Sequence, residues 1–248
     1  MSDLTEDDFL GGRLRLRQPS KGFRSGMDAM LLAAAVPARP GESALELGCG
    51  AGAAILALGA RVPGLTLAGL ELQPAYAALA CANAALNGFA LEVIEGDVAQ
   101  PPPGLRARAV DHVLMNPPYY DRAASTRAED PGRDLAHGGP APLSAWLALA
   151  GRRLRPGGIL TLIQPTARLP EALAGLPATL GSAEILPLAP RPGHEPRLIL
   201  LRARKGGRAP FRLLPSLPLH DGPPGPDGKD FAPWAVSVLR GGTSLPWP

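Results

Sequence analysis

The run Arg13-Leu14-Arg15-Leu16-Arg17 alternates charged and apolar residues, and this period of two predicts a strand with one buried face. Downstream the apolar positions fall into longer blocks. Asp28 to Val36 (DAMLLAAAV) reads as a helix stopped by Pro37, Ser43 to Gly48 as a short apolar strand, and Ala51 to Val62 as an alanine- and leucine-rich helix. Thr66 to Leu72 reads as a second strand of this set. A helix from Pro74 to Leu86 follows, with proline in its first turn, where the missing N–H costs nothing. Leu91 to Gly96 and Val110 to Met115 are further strands. Pro142 to Leu154 reads as a helix ending before Pro156-Gly157-Gly158, Ile159 to Gln164 as a strand, and 167–176 as a short helix. Two last strands are expected over Glu184 to Leu188 and Arg197 to Ala203.

Strands alternating with helices imply parallel βαβ units and an α/β doubly wound sheet. The last two strands are joined by a turn around Pro192-Gly193, too short for a parallel crossover, so they are expected to form an antiparallel hairpin at the sheet edge. The expected organisation is a basic extension or hairpin over 1–26, a main domain over 27–205, and a Pro/Gly-rich extension over 206–248 packing on it. Within that extension, 222–228 (GPPGPDG) reads as a loop.

Composition narrows the setting. The 248 residues suit one large domain, and 46% hydrophobic content supports a sizeable core. No long uncharged apolar run predicts a transmembrane helix, so no membrane partner is expected. Met1 to Phe9 is acidic and lacks the apolar region of a secretory signal. Cys49 and Cys81 have no CxxC spacing, which fits a reducing, cytoplasmic setting, and neither has neighbours expected of a metal site. The net charge is only +3, but its distribution is uneven. Arg13, Arg15, Arg17, Lys21 and Arg24 lie in one acid-free stretch. Arg191, Arg197, Arg202, Arg204, Lys205, Arg208 and Arg212 lie in a second basic stretch, against a lone acid, Glu195. These form either one nucleic-acid-facing surface, if the two stretches meet in space, or an ordinary solvated face.

Three motifs carry chemistry. Leu45-Glu46-Leu47-Gly48-Cys49-Gly50-Ala51-Gly52 places glycines between a strand and a helix. Without a Cβ, such a turn lets backbone approach a nucleotide-like ligand at the carboxyl ends of the strands. The spacing is neither the G-x-G-x-x-G of dinucleotide binders nor a P-loop. Glu71 stands at the next strand end, where an acid can accept hydrogen bonds from ribose hydroxyls, and Asp97 follows the strand after that. The second motif, Asn116-Pro117-Pro118-Tyr119, is a loop stiffened by two prolines just past a strand. The Asn116 side-chain oxygen and the Pro117 carbonyl can accept from the two N–H bonds of an exocyclic amine. That draws its nitrogen toward sp3 geometry by positioning and electrostatics rather than by a strong base. Tyr119 offers a face on which an extruded base can stack. The third motif is Lys21-Gly22-Phe23-Arg24-Ser25-Gly26-Met27-Asp28-Ala29-Met30-Leu31-Leu32.

The ELGCGAG turn, the acid at Glu71 and the Gly96-Asp97 pair resemble the class I S-adenosylmethionine-dependent methyltransferases, whose Rossmann-like sheet has seven strands and ends in an antiparallel hairpin. With the third motif, Asn83, Asn87-Gly88, Pro156-Gly157-Gly158 and the 213–221 stretch, the chain resembles the bacterial tRNA1(Val) adenine N6-methyltransferase family over nearly its whole length. The resemblance implies S-adenosyl-L-methionine as cofactor, held by Arg24, Gly26, Asp28, Glu46, Gly48, Gly50, Gly52, Glu71, Leu72, Asp97, Val98 and Asn116. It implies catalysis by Asn116, Pro117, Pro118 and Tyr119. It also implies RNA, most naturally tRNA, as partner, with Arg13, Arg15, Arg17, Lys21, Arg122, Arg127, Arg191, Arg197 and Lys205 as candidate contacts. The Asn-Pro-Pro-Tyr loop alone leaves adenine N6, guanine N2 of rRNA and a protein glutamine open. Little room precedes residue 43 for the extra helical domain usual in glutamine methyltransferases. A non-catalytic RNA-binding module is a further alternative. The charged 121–139 stretch reads either as a substrate-recognition loop or as plain surface loop.

Overall fold

A computed structural model describes residues 3–118, 141–222 and 230–248. Strands β1 (Leu4–Phe9) and β2 (Leu14–Pro19) form an antiparallel hairpin. Leu14 and Leu16 are fully buried and the arginines between them exposed, as the alternation predicts. The partner strand β1 and the final helix were not evident from sequence. Helix α1 (Met27–Ala35) leads to β3 (Ser43–Leu47), α2 (Ala53–Arg61), β4 (Thr66–Glu71), α3 (Pro74–Leu86), β5 (Leu91–Glu95), the short α4 (Pro103–Arg106) and β6 (Val110–Met115). After 119–140 come α5 (Leu143–Arg153), β7 (Leu154–Pro165), α6 (Leu169–Gly175), β8 (Leu180–Ala189) and β9 (Leu198–Lys205). The chain closes with β10 (Arg212–Leu213), β11 (Leu217–Pro218) and α7 (Pro233–Leu239).

The main sheet runs β10-β8-β9-β7-β6-β3-β4-β5, with β11 also on β8. It is parallel except where β9 inserts between β7 and β8, antiparallel to both. This is a Rossmann-like doubly wound sheet with an antiparallel hairpin. One expectation needs correcting: the hairpin does not end the sheet. Residues after 205 add β10 and β11 alongside β8, so the described sheet has nine strands rather than seven. Helix α2 also starts two residues late. Gly50 and Gly52 have φ of 54° and 85°, which keeps 48–52 as a turn and makes Gly52 the N-cap.

A core lies on each face of the sheet. One gathers α1, α2, Leu14 and Leu16 with Leu214, Leu219, Val238 and Leu245. The other gathers α5, Trp146, Leu105 and Ala172 against the opposite sides of β3, β6, β7 and β9. Helix α1 is buried almost all round, so its last carbonyls need partners inside the protein. Arg61 donates to Ala33 and Val36, Arg202 to Ala35, and the Leu245 amide to Ala34. Burial lowers the pKa of both arginines, that of Arg202 to about 10. Among the described residues no helix is long and apolar enough to cross a membrane.

The hairpin is docked by asparagine. Asn83 on α3 and Asn87, the residue that caps its C-terminus, lie four apart and face the free edge of β2. The Asn83 side chain accepts from the Arg17 N–H at 2.8 Å and donates to the Arg17 carbonyl at 3.0 Å; Asn87 does the same with Arg15 at 2.9 and 2.7 Å. Each amide thus acts as one residue of a neighbouring strand.

Candidate active site

Strand register lines up the predicted residues. Leu47 pairs with Met115 on one side and Leu70 on the other, and Glu71 pairs with Glu95. The next residues, Asn116, Gly48, Leu72 and Gly96-Asp97, therefore form a row across the carboxyl ends of β6, β3, β4 and β5. That is where doubly wound sheets bind ligands.

The glycine turn is built from backbone. Gly48, Gly50 and Gly52 all have positive φ. The Gly48 and Cys49 amides donate to the Leu70 carbonyl. A Cβ at Gly48 would lie 2.7 Å from the Trp146 ring, so glycine is required there for space as well as for φ. Glu71 is buried; its two oxygens accept from the Gly50 and Gln73 amides at 2.8 and 2.9 Å. A carboxylate has lone pairs beyond these two for a ligand hydroxyl. Glu46 lies beneath the turn, buried, accepting from the Ile55 amide at 2.9 Å. Burial first, and the nearby Glu71 charge, raise its pKa well above the usual carboxylate range. Asp97 accepts from the Ala99 amide at 2.8 Å, and Val98 is buried beside it. Leu72, 62% exposed, and Phe23, 61% exposed, give the row two apolar faces; the Phe23 ring edge is 3.9 Å from where a Gly50 Cβ would stand.

The segment carrying Phe23 is shaped by residues that sequence reading missed. Asp7 accepts from Gln18 at 3.0 Å and Arg24 at 2.7 Å, while Gln18, itself buried, exchanges hydrogen bonds with the Ser25 backbone. Arg24 also donates to Thr5 and to the Pro19 carbonyl. Arg24 is thus engaged in holding the 20–26 segment to the hairpin. Gly26 is the N-cap of α1, and burial raises the pKa of Asp28 in its first turn.

On the acceptor side Asn116 is half-buried, Pro117 buried and Pro118 exposed. Gln164, also overlooked in sequence, donates to the Pro117 carbonyl at 2.7 Å. Tyr119, Arg122 and Arg127 lie outside the described residues.

The candidate RNA contacts do not form one cluster. Lys21 and Arg197 are exposed at the same end as the row, and the Arg197 carbonyl accepts from Thr166 just past β7. Arg15 and Arg17 are exposed on β2 and pair with Glu6. Arg13 binds the Gly241 carbonyl, so the N- and C-terminal segments do meet, but through its guanidinium. Arg191 pairs with Asp230. Lys205 sits at the opposite end of the sheet, donating to the Leu154 carbonyl.

A left-handed glycine cradle, a buried strand-end acid and flanking apolar faces fit an adenosine-bearing amino acid such as S-adenosyl-L-methionine. The "Methyltransferase small domain" family model matches residues 25–186. A tRNA1(Val) (adenine(37)-N6)-methyltransferase from Porphyromonas gingivalis is 30% identical over 83% of this chain and 85% of its own. One of the same name from Aeromonas hydrophila is 32% identical over 74% and 78%. Among solved structures, a predicted O-methyltransferase from Agrobacterium tumefaciens superposes with a TM-score of 0.71 at 28% identity, covering 88% of this chain and 98% of its own. The Thermus thermophilus 16S rRNA N2 G1207 methyltransferase, solved with AdoMet and guanosine, shares the fold, with a TM-score of 0.56 at 20% identity over 82% of this chain and 50% of its own. The chain belongs to the methyltransferase small-domain family and is an S-adenosyl-L-methionine-dependent methyltransferase.

Proposed function

We propose that this methyltransferase acts on an exocyclic amine, the N6 of an adenine in tRNA near the anticodon. The observation that carries the reading is the Asn116-Pro117-Pro118 loop at the end of β6, beside the glycine turn, with the Pro117 carbonyl held by Gln164. The names of the relatives at about 30% identity support the same acceptor.

The residues that would hold the cofactor are the 48–52 turn, Glu71 for the ribose hydroxyls, Asp97 for the adenine edge, and Leu72, Val98 and Phe23 as apolar contacts. The chemistry it supplies there is an electrophilic methyl group on sulfonium sulfur. This chain's own contribution is positional. An aromatic amine nucleophile has its lone pair delocalised into the ring. Asn116 Oδ1 and the Pro117 carbonyl accept its two N–H bonds, which localises the lone pair and aims it across the row. Lys21 and Arg197 offer phosphate contacts at the same end, so RNA binding should weaken steeply with salt.

The test is transfer of labelled methyl to total tRNA, total rRNA and a release factor in parallel, followed by nucleoside and peptide analysis. N6-methyladenosine in tRNA is expected. Label in rRNA guanine, in glutamine or on oxygen would overturn the substrate while leaving the family intact.

A further inference from the structure

The acceptor loop presents a structural problem. A chain leaving a strand is normally steadied by its next N–H groups, which bond to the neighbouring strand. Pro117 and Pro118 have none. Their carbonyls are therefore the only backbone groups by which this part of the loop can be fixed, and a carbonyl needs a donor.

Gln164 supplies it. This residue lies near the end of β7, the strand next to β6, two positions past the Met115 to Leu162 pair, and is 1% exposed. Its Nε2 donates to the Pro117 carbonyl at 2.7 Å, and its Oε1 accepts from Arg168 Nη1 at 2.9 Å. The orientation of the amide is unambiguous: an acceptor stands at one end and a guanidinium at the other. The same Arg168 nitrogen lies 3.3 Å from the Pro118 carbonyl. Arg168 is in turn held by Glu171 through two contacts of 2.9 Å. Arg168 keeps the Glu171 carboxyl below its usual range, and the Leu143 amide at the start of α5 helps. The result is a relay from Glu171 to Arg168 to Gln164 to Pro117, in which the cation polarises the amide and strengthens its N–H as a donor.

We propose that Gln164, backed by Arg168, is a positioning residue for methyl transfer: it fixes the Pro117 carbonyl by filling one of its two lone pairs, leaving the other for one N–H of the acceptor amine. The proposal rests on the amine-methylating reading above. Gln164 does not touch the reacting atoms; it acts through Pro117. An amine with two hydrogens then meets two acceptors, Asn116 Oδ1 and the second lone pair of the Pro117 carbonyl, which Gln164 holds in place.

The experiment has a kinetic and a spectroscopic arm. Gln164→Met keeps shape and loses the donor. It is expected to lower kcat about tenfold to a hundredfold, with the S-adenosyl-L-methionine Kd and the melting temperature close to wild type. The 13C carbonyl resonance of Pro117 should move upfield, while the Gly48 and Gly50 amide resonances stay. Gln164→Glu carries the test if the methionine variant unfolds. Its introduced carboxylate faces Arg168 and Glu171, is drawn to the guanidinium and repels the Pro117 carbonyl; it donates only when protonated. Its activity relative to wild type should rise as pH falls. Wild-type kcat in Gln164→Met, or an unmoved Pro117 resonance, overturns the proposal. Should the wild-type protein methylate no amine, the proposed function falls, and the Pro117 resonance still decides whether Gln164 holds the carbonyl.

Discussion

The two halves of the strand-end row are made rigid in opposite ways. The cofactor half is backbone shape: glycines with positive φ at 48, 50 and 52, tied by peptide N–H groups of the turn to the Leu70 carbonyl and the Glu71 carboxylate, with Glu46 accepting from the Ile55 amide in the helix that follows. The acceptor half begins with two prolines that cannot donate, and is held by a side chain 47 residues away. A turn that holds itself is written contiguously, as a motif. A loop that borrows its support shows only its tip. The halves meet at one strand pair, β3 with β6, so each can be damaged with the other as control.

The most severe break is Asn116→Ala. Removing one of two acceptors aimed at the amine should lower the rate of transfer by about a hundredfold to a thousandfold, the loss typical of one preorganised polar group. Cofactor affinity, by isothermal calorimetry, should stay within a few-fold. If affinity falls in step with rate, the halves are not separable and Asn116 belongs to both.

Next in size is Gly48→Ala on the other half. The added Cβ meets Trp146 at 2.7 Å in a packed core, and the residue sits at φ 67°. Overpacking and left-handed strain together should cost about 2–4 kcal/mol of stability and weaken cofactor binding. Gly88→Ala is the matched control: φ is 71° but nothing lies within 4 Å, so only about 1 kcal/mol should be lost. Equal losses in the two denaturation curves would mean that Trp146 simply moves aside.

The same contrast explains what could be read without coordinates. The alternating helices and strands, the glycine turn, Glu71, Asp97 and the Asn-Pro-Pro loop were legible because each depends on local periodicity or on residue types with special backbone rules. Gln164 was not. In ILTLIQ it is the polar end of an apolar strand, and nothing local distinguishes a buttress from a solvated strand end. Gln18 and Asp7 were missed for the same reason, since their roles come from the β1–β2 hairpin bringing them to Arg24. Strand β1 escaped because LTEDDF is acidic, and its partner arginines are what make it a strand. The basic stretches misled in part. Arginine counts do not tell a guanidinium free to face a ligand from one spent on a backbone carbonyl, as those of Arg13 and Arg202 are.

A smaller effect tests how the hairpin supports the cofactor half. Asn83 is fully buried and serves the Arg17 N–H, the Arg17 carbonyl and the Ala51 carbonyl. Asn83→Ala should cost about 2–3 kcal/mol, because buried backbone groups lose partners. Asn87→Ala, at a half-buried position, should cost about 1 kcal/mol. Both should loosen the segment bearing Phe23 and raise the cofactor Kd in the order of their stability losses. A stability loss with cofactor affinity intact would confine the hairpin to a structural role.

The subtlest probe is the titration of Glu46. Burial raises its pKa in the folded protein, with the Glu71 charge adding to the shift. In the unfolded chain the carboxyl loses its proton in the ordinary range, while the folded protein still holds it. Between those two points the unfolded state binds fewer protons, so rising pH favours unfolding. The Glu46 contribution is therefore fully present below the ordinary carboxylate range and is lost as pH rises through the folded value. Glu46→Gln can keep the hydrogen bond to the Ile55 amide and cannot titrate. The difference in urea midpoint between variant and wild type should be flat in acid and move in favour of Gln as pH rises; titrating groups not coupled to Glu46 cancel in that difference. Saturating S-adenosyl-L-methionine adds the decisive condition. If Glu46 faces the ammonium group at the amino acid end of the cofactor, binding favours its ionised form, and the pH-dependent part of the difference shrinks. A difference that keeps its full slope in the presence of cofactor would leave Glu46 as a support of the turn alone, and the cofactor half would then be recognised by backbone and Glu71 without it.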